Sequence, residues 1–425
     1  MKRSFAFLAA FLLFVAALPA AAQILRIHLD GTIHPIAAEE IARAVDAAQA
    51  RHAAALLIEI NTPGGLLDST REIVAKIETS SVPVIIFVGP SGARAASAGF
   101  FILESADVAA MANGTNTGAA HPVSIGGAKM DDVMKTKVEN DSAAFLRSYV
   151  ARRGRNVEVA EKAVRESISW TEKEALDLKL IDLTARDEAD LLNQLDGRVI
   201  HRFDGSTMTL HVANQPVEEL PATLRQRVLG WLMDPNIAFL VLAVGCLSLY
   251  VEFNHPGAII PGVVGSIFIL LTLFALNLLP TRYASLALIA LAFVLFALEA
   301  KFVSHGILTL GGIVCLTLGG MLLVDGPIPE MRVKLLTSLA VSLPFGLITA
   351  FLMSIAWRAR RNKVITGAQG IIGELGVART DLAPTGKVFI HGELWDAHST
   401  KPLPAGSPIR VIAIRQLELE VEPVA

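Results

Sequence analysis

The stretch ALLIEINTPGGLLDSTREIVAKIE, Ala55 to Glu78, changes texture twice. It opens with ALLIEI (55–60), a short apolar run of the kind that forms a buried strand. Asn61-Thr62-Pro63-Gly64-Gly65 then makes a turn, where glycine reaches backbone conformations and close approaches closed to other residues. From Leu66 the apolar positions take helical spacing, with Leu66, Ile73 and Ile77 on one face. Its flanks repeat the unit. ILRIHL (24–29), VPVIIFV (82–88) and DVAAMA (107–112) read as strands, and AEEIARAVDAAQA (38–50) as a helix with Ile41, Ala42, Val45 and Ala48 on one face. Alternating strands and helices predict an α/β domain with largely parallel strands over residues 23–200.

The rest of the chain differs in composition. Over 425 residues, which suggests two to four domains, hydrophobic residues make up 53% and charged residues only 18%. A mean hydropathy of +0.52 places part of the chain in lipid. The net charge of -3 gives no reason to expect nucleic acid. Both cysteines, Cys246 and Cys315, lie in apolar runs, so no disulfide framework is expected.

The N-terminus has Lys2 and Arg3, an apolar core from Phe5 to Leu18 and Ala20-Ala21-Ala22, the pattern of a cleaved signal peptide over residues 1–22. Residues 201–235 form a more polar linker with an expected amphipathic helix at the membrane surface. Residues 236–357 hold five apolar spans, roughly 237–252, 258–279, 284–303, 306–324 and 334–357. The last ends in WRARRNK (357–363), whose basic residues mark a cytoplasmic exit. The N-terminal domain is then extracytoplasmic, that is, periplasmic. Residues 358–425 read as short strands between Gly/Pro turns, the pattern of a small closed β-barrel of the oligonucleotide/oligosaccharide-binding (OB-fold) kind. Phe389 and Trp395 are too few aromatics for a single-strand stacking platform.

One further stretch, GPSGARAASAGFFI (89–102), places Ser97 among tiny residues. Such residues let a helix pack closely, or let a peptide backbone approach a nucleophile. The glycine turn at 61–65, followed by a helix start, offers the free N–H groups that an oxyanion needs. Downstream, Lys135 and Lys137 precede an amphipathic segment whose Phe145 and Tyr149 share a face.

INTPGG (60–65), GARAASAG (92–99) and the lysine about 40 residues later together resemble the NfeD-type membrane-bound serine peptidases, a family similar to ClpP and SppA. The resemblance covers essentially the whole mature chain, including TGAQGIIGELGVARTDLAPTGKVFIHGELWDAHS (366–399) in the C-terminal barrel. It implies a ClpP/crotonase-like fold and a Ser–Lys dyad, with Ser97 as nucleophile and Lys137 as base; Lys135 is the fallback. The N–H groups of Gly65 and Ala98 would hold the oxyanion, with Gly64 shaping the loop. A serine hydroxyl needs an adjacent base, and a lysine serves only when neutral, a state favoured by burial.

His121, 24 residues after Ser97, is the alternative base, near where ClpP-type peptidases place a triad histidine. The acid such a triad needs is missing where it is expected: Ser167 stands there, with Glu166 beside it. The family further implies stomatin-like membrane proteins as substrate or partner. A site tethered beside the bilayer and flanked by FFIL (100–103) points to apolar segments as substrate. No HExxH or CxxC motif is present, so neither metal nor other cofactor is expected. A homo-oligomer stays open, as do two rival readings: a non-catalytic scaffold for stomatin-like proteins, and a crotonase-type acyl-CoA enzyme.

Overall fold

The computed structural model describes residues 23–123, 131–254, 257, 259–302, 304–361 and 368–424. The expected signal peptide and the end of the basic WRARRNK stretch lie outside them. The chain divides into two compact units, residues 1–346 and 347–425.

The first unit runs β1 (Ile24–Asp30), α1 (Pro35–Ala50), β2 (Ala55–Asn61), α2 (Leu67–Glu78), β3 (Val84–Val88), β4 (Arg94–Ala96), α3 (Ala98–Ser105), β5 (Val108–Ala112), β6 (Asn116–Gly118), α4 (Asp132–Val150), α5 (Val157–Arg165), β7 (Ser169–Thr171), α6 (Glu172–Asp177), β8 (Leu183–Ala185) and α7 (Glu188–Leu195). Then come β9 (Val199–His201), β10 (Thr207–Thr209), β11 (Val217–Glu219) and α8 (Leu224–Leu232). Six strands form one sheet in the order β11–β1–β2–β3–β5–β8, and every pair in it is parallel. A smaller sheet, β4–β6–β7, carries the segments that lead to Ser97 and His121.

The continuous apolar runs of the large sheet follow from burial on both faces. Side chains alternate: Leu56, Ile58, Ile60, Val84, Ile86 and Val88 face a core built with α1, α2 and α3. Ala55, Leu57, Ile85, Phe87, Val108 and Ala110 face a second core with α7 and the β9–β10 ribbon. The polar connection after residue 200 is more ordered than its sequence signals. β11 joins the sheet edge, pairing Ile24 with Val217 and Arg26 with Glu219. Helix is confined to α8, which opens with a capping box between Thr223 and Gln226. Strands three residues long and polar in sequence carry no periodic signal.

Two arginines of RRGRN fix the C-terminal end of α3. Arg153 Nε donates to Ser105 O at 2.9 Å; Arg155 donates to Glu104 O at 2.6 Å and Ala106 O at 3.0 Å. These satisfy carbonyls that a helix end leaves without partners. Arg153 and Arg202 also pair with buried Asp107, which accepts from Val84 N. The short helix that begins beside Ser97 is thereby anchored at its far end.

Within α3 the Glu104 side chain is fully buried, and both its carboxylate oxygens lack a protein partner among the described residues. Burial pushes its pKa up to about 8, against a smaller opposing pull from Arg155. The folded state therefore binds a proton that the unfolded chain releases between the ordinary carboxylate range and that value. Stability from this group is full below the unfolded pKa and is lost as pH rises toward 8. At ~1.4 kcal/mol per pH unit, the loss amounts to a few kcal/mol. Thermal melting in detergent at pH 5 and pH 8 is expected to show Glu104→Gln less pH-sensitive than the parent; parallel curves would sink the assignment.

Five apolar helices follow: α9 (Pro235–Asn254), α10 (Ile260–Asn277), α11 (Tyr283–Lys301), α12 (Ile307–Met321) and α13 (Leu335–Arg361). They fall on the five expected spans. Pro235–Phe253, Ile260–Asn277 and Pro329–Phe351 are long and apolar enough to cross a bilayer, while Tyr283–Glu299 and Ile307–Met321 are shorter. The protein is a membrane protein with several apolar helices.

In the second unit a short helix, α14 (Ala368–Ile371), precedes β12 (Leu375–Ala378), β13 (Thr385–Ile390), β14 (Glu393–Ser399), β15 (Pro408–Arg415) and β16 (Glu418–Pro423). These close a five-stranded barrel, β12–β13–β14–β16–β15, with β14 and β16 parallel. Val388, Ile390, Val411, Leu419 and Val421 fill its interior. The closed barrel and its strand order are those of the expected OB-fold.

Candidate active site

Ser97 sits at the junction of β4 and α3 with φ 52° and ψ -114°. A non-glycine residue in this region is strained by ~1–3 kcal/mol and persists only where its surroundings hold it. The holding bonds are Ser97 N to Gly118 O (2.8 Å), Ala96 N to Thr62 O (3.1 Å) and Thr62 N to Arg94 O (2.7 Å). Thr117 Oγ1 also donates to Ala95 O at 2.8 Å. A sharp strand-to-helix elbow of this kind exposes a hydroxyl at the head of a helix.

The small residues have a geometric cause. A Cβ on Gly64 would lie 2.6 Å from Ser97 Cβ, and Gly64 has φ +117°. A Cβ on Gly65 would lie 2.1 Å from Ile33 O. Gly65 is held in a parallel bridge to Ile33 through its neighbours: Ile33 N donates to Gly64 O and Leu66 N to Ile33 O. Such a bridge turns the central residue's own N–H away from its partner. Ala98 is the first residue of α3, where N–H groups have no intrahelical acceptor. Among the described residues, neither Gly65 N nor Ala98 N donates to another protein group.

Ser97, Gly65, Ala98 and His121 line one cavity of about 440 Å³. His121 follows β6, and its Nδ1 lies 2.8 Å from Val164 O. A carbonyl only accepts, so Nδ1 carries the proton and Nε2 is left as acceptor. Glu166 and Ser167 are exposed. A backbone carbonyl thus does the orienting that a triad assigns to an acid, and no sequence motif announces it.

Lys137 lies apart from these groups. α4 contributes Val138 and Ser142 to the cavity wall, whereas Lys137 and Lys135 are exposed. Lys137 is one helical turn before Asp141, which pairs with Arg71 of α2. Residues i and i+4 share a helix face, so Lys137 stands on the face of α4 that carries Asp141, beside the one that carries the lining residues Val138 and Ser142. Ser142 Oγ is buried without a protein partner among the described residues. Of FFIL only Phe101 reaches the cavity; all four residues are buried in the core. Sequence reading missed Pro280, Pro327 and Ile328, which line the same cavity from the membrane block.

Three family descriptions match successive parts of the chain: the NfeD1b N-terminal domain over residues 23–204, the NfeD integral membrane domain over 236–355, and the NfeD-like C-terminal, partner-binding domain over 368–423. The chain is 32% identical over 407 residues to the membrane-bound protease PH1510 of Pyrococcus horikoshii, covering 92% of this chain and 91% of that one. It is 27% identical over 377 residues to the membrane protein NfeD1b of Bacillus subtilis, covering 84% and 83%. Among solved structures it is similar to the 1510-N membrane protease specific for a stomatin homolog from Pyrococcus horikoshii. That similarity has 30% identity and a TM-score of 0.43, over 50% of this chain and 99% of that one.

Proposed function

Because this chain belongs to the NfeD family, we propose that it is an integral-membrane serine endopeptidase with Ser97 as nucleophile and Lys137 as base. The observation that carries the reading is Ser97 held at a strained elbow in the wall of a cavity that also holds Gly65 and Ala98, whose N–H groups are without protein acceptors among the described residues. Ser97 Oγ attacks a peptide carbonyl. Neutral Lys137 accepts the hydroxyl proton and passes it to the leaving amine. Gly65 and Ala98 hold the oxyanion, each donor typically worth about 3 kcal/mol in the transition state, while Gly64 leaves room for Ser97. The substrates are apolar segments of membrane-associated proteins. The related protease is named for a stomatin homolog, and a stomatin-like protein is the partner assigned here. The test is a serine-directed fluorophosphonate probe on the purified protein, read beside cleavage of an apolar peptide.

A second reading makes His121 the base. Its position in the cavity and its fixed tautomer favour it; the exposed Lys137 does not.

We propose that all five apolar helices cross the membrane, with the N-terminal domain outside and the barrel in the cytoplasm; the basic WRARRNK exit supports this orientation. A reporter fused after Ala425 is expected to be active only in the cytoplasm. Periplasmic activity would reverse the topology.

A further inference from the structure

Three residues of the Ser97 cavity come from the membrane block, and they stand on two turns that are tied together. Pro280 follows α10; Pro327 and Ile328 lie between α12 and α13. Thr281 bridges Val324, Arg282 N donates to Leu323 O at 3.1 Å, and Asp325 N donates to Pro280 O at 2.8 Å. Arg282 and Asp325 form an ion pair at 2.6 Å. The longer turn also folds on itself, with Arg332 Nε donating to Gly326 O at 2.9 Å and Met331 buried.

The paired turns meet the N-terminal domain beside its reactive groups. Glu330 pairs with Arg94, three residues before Ser97, at 3.0 Å. Leu66, next to Gly65, packs on the same apolar cluster of the membrane block as Ile328. Leu66, Phe101 and Val138 of the N-terminal domain line the same cavity as Pro280, Pro327 and Ile328. A peptide strand lying against Ser97 therefore has one side chain enclosed by apolar groups from both domains. Apolar burial is worth about 25 cal/mol per Å², and a charged side chain against the apolar groups would lose hydration there.

We propose that Pro280, Pro327 and Ile328 are specificity-determining residues: the membrane block supplies one wall of the substrate cleft and selects an apolar side chain beside the scissile bond. This rests on the serine-peptidase reading. It gives the membrane helices a task beyond anchorage, because the N-terminal domain alone has a cleft open on that side.

The test uses the full chain in detergent, with peptides that carry leucine, lysine or glutamate next to the cleaved bond. Ile328→Glu is expected to raise KM for the leucine peptide at least tenfold and to shift preference toward lysine. Fluorophosphonate labelling of Ser97, which needs no such side chain, should persist and report that the variant is folded with its nucleophile in place. Ile328→Ala, the milder variant, should weaken the leucine peptide several-fold, with melting lowered by the lost packing but the protein still folded. An Ile328→Glu protein that folds, labels and keeps parental KM and preference overturns the wall. Parental protein that neither labels nor cleaves overturns the peptidase reading instead, and the wall with it.

Discussion

Ser97→Ala is expected to abolish both fluorophosphonate labelling and peptide cleavage while leaving the protein folded. Removing the nucleophile of a serine hydrolase costs roughly 10⁶ in kcat, with the oxyanion donors and binding leaving a residual roughly 10³–10⁴ over water. The variant is clean for structural reasons. Alanine keeps the Cβ that meets Gly64 and accepts the same positive φ with no new strain. The bonds that hold the elbow are made by backbone atoms of residues 62, 94, 96, 97 and 118 and by the Thr117 hydroxyl, none by the Ser97 hydroxyl. Melting should therefore match the parent. A Ser97→Ala protein that still labels would place the nucleophile elsewhere. Parental protein inert to probe and peptide, yet able to bind a stomatin-like protein, would favour the scaffold reading.

Four strands of the large sheet, β1, β2, β3 and β5, were legible because burial on both faces leaves uninterrupted apolar runs, as in ALLIEI and VPVIIFV, whereas the three-residue β8 was not. The apolar helices were legible for the parallel reason that lipid tolerates few charges. β11 was not: VEE earns its place in the sheet through backbone pairing with β1, which side-chain pattern does not record. The site divides the same way. Ser97 and the glycine turn stood out because close approach demands tiny residues, and a Cβ on Gly64 would lie only 2.6 Å from that of Ser97. The Val164 carbonyl beside His121 was illegible, since every residue has one. Pro280, Pro327 and Ile328 are far from Ser97 in sequence, and only packing between domains reveals that they share its cavity.

The base is where sequence resemblance and geometry pull in different directions, and one set of variants separates them. With Lys137 as base, Lys137→Ala is expected to lose cleavage nearly as completely as Ser97→Ala, and the double variant should lose little more, because the pair acts as a unit. Lys137→Arg should fail as well: guanidinium stays protonated and accepts no proton. His121→Ala should then cost much less, through a roughened cavity wall. The competing outcome is specific. His121 already lines the cavity with Nδ1 tied to Val164 O, which leaves Nε2 ready to accept a proton. If it serves, His121→Ala is dead while Lys137→Ala cleaves, as expected of an exposed lysine. That result would overturn the dyad and keep Ser97. It would also make the Val164 carbonyl the group that orients the base, a role no side-chain substitution at residue 164 removes.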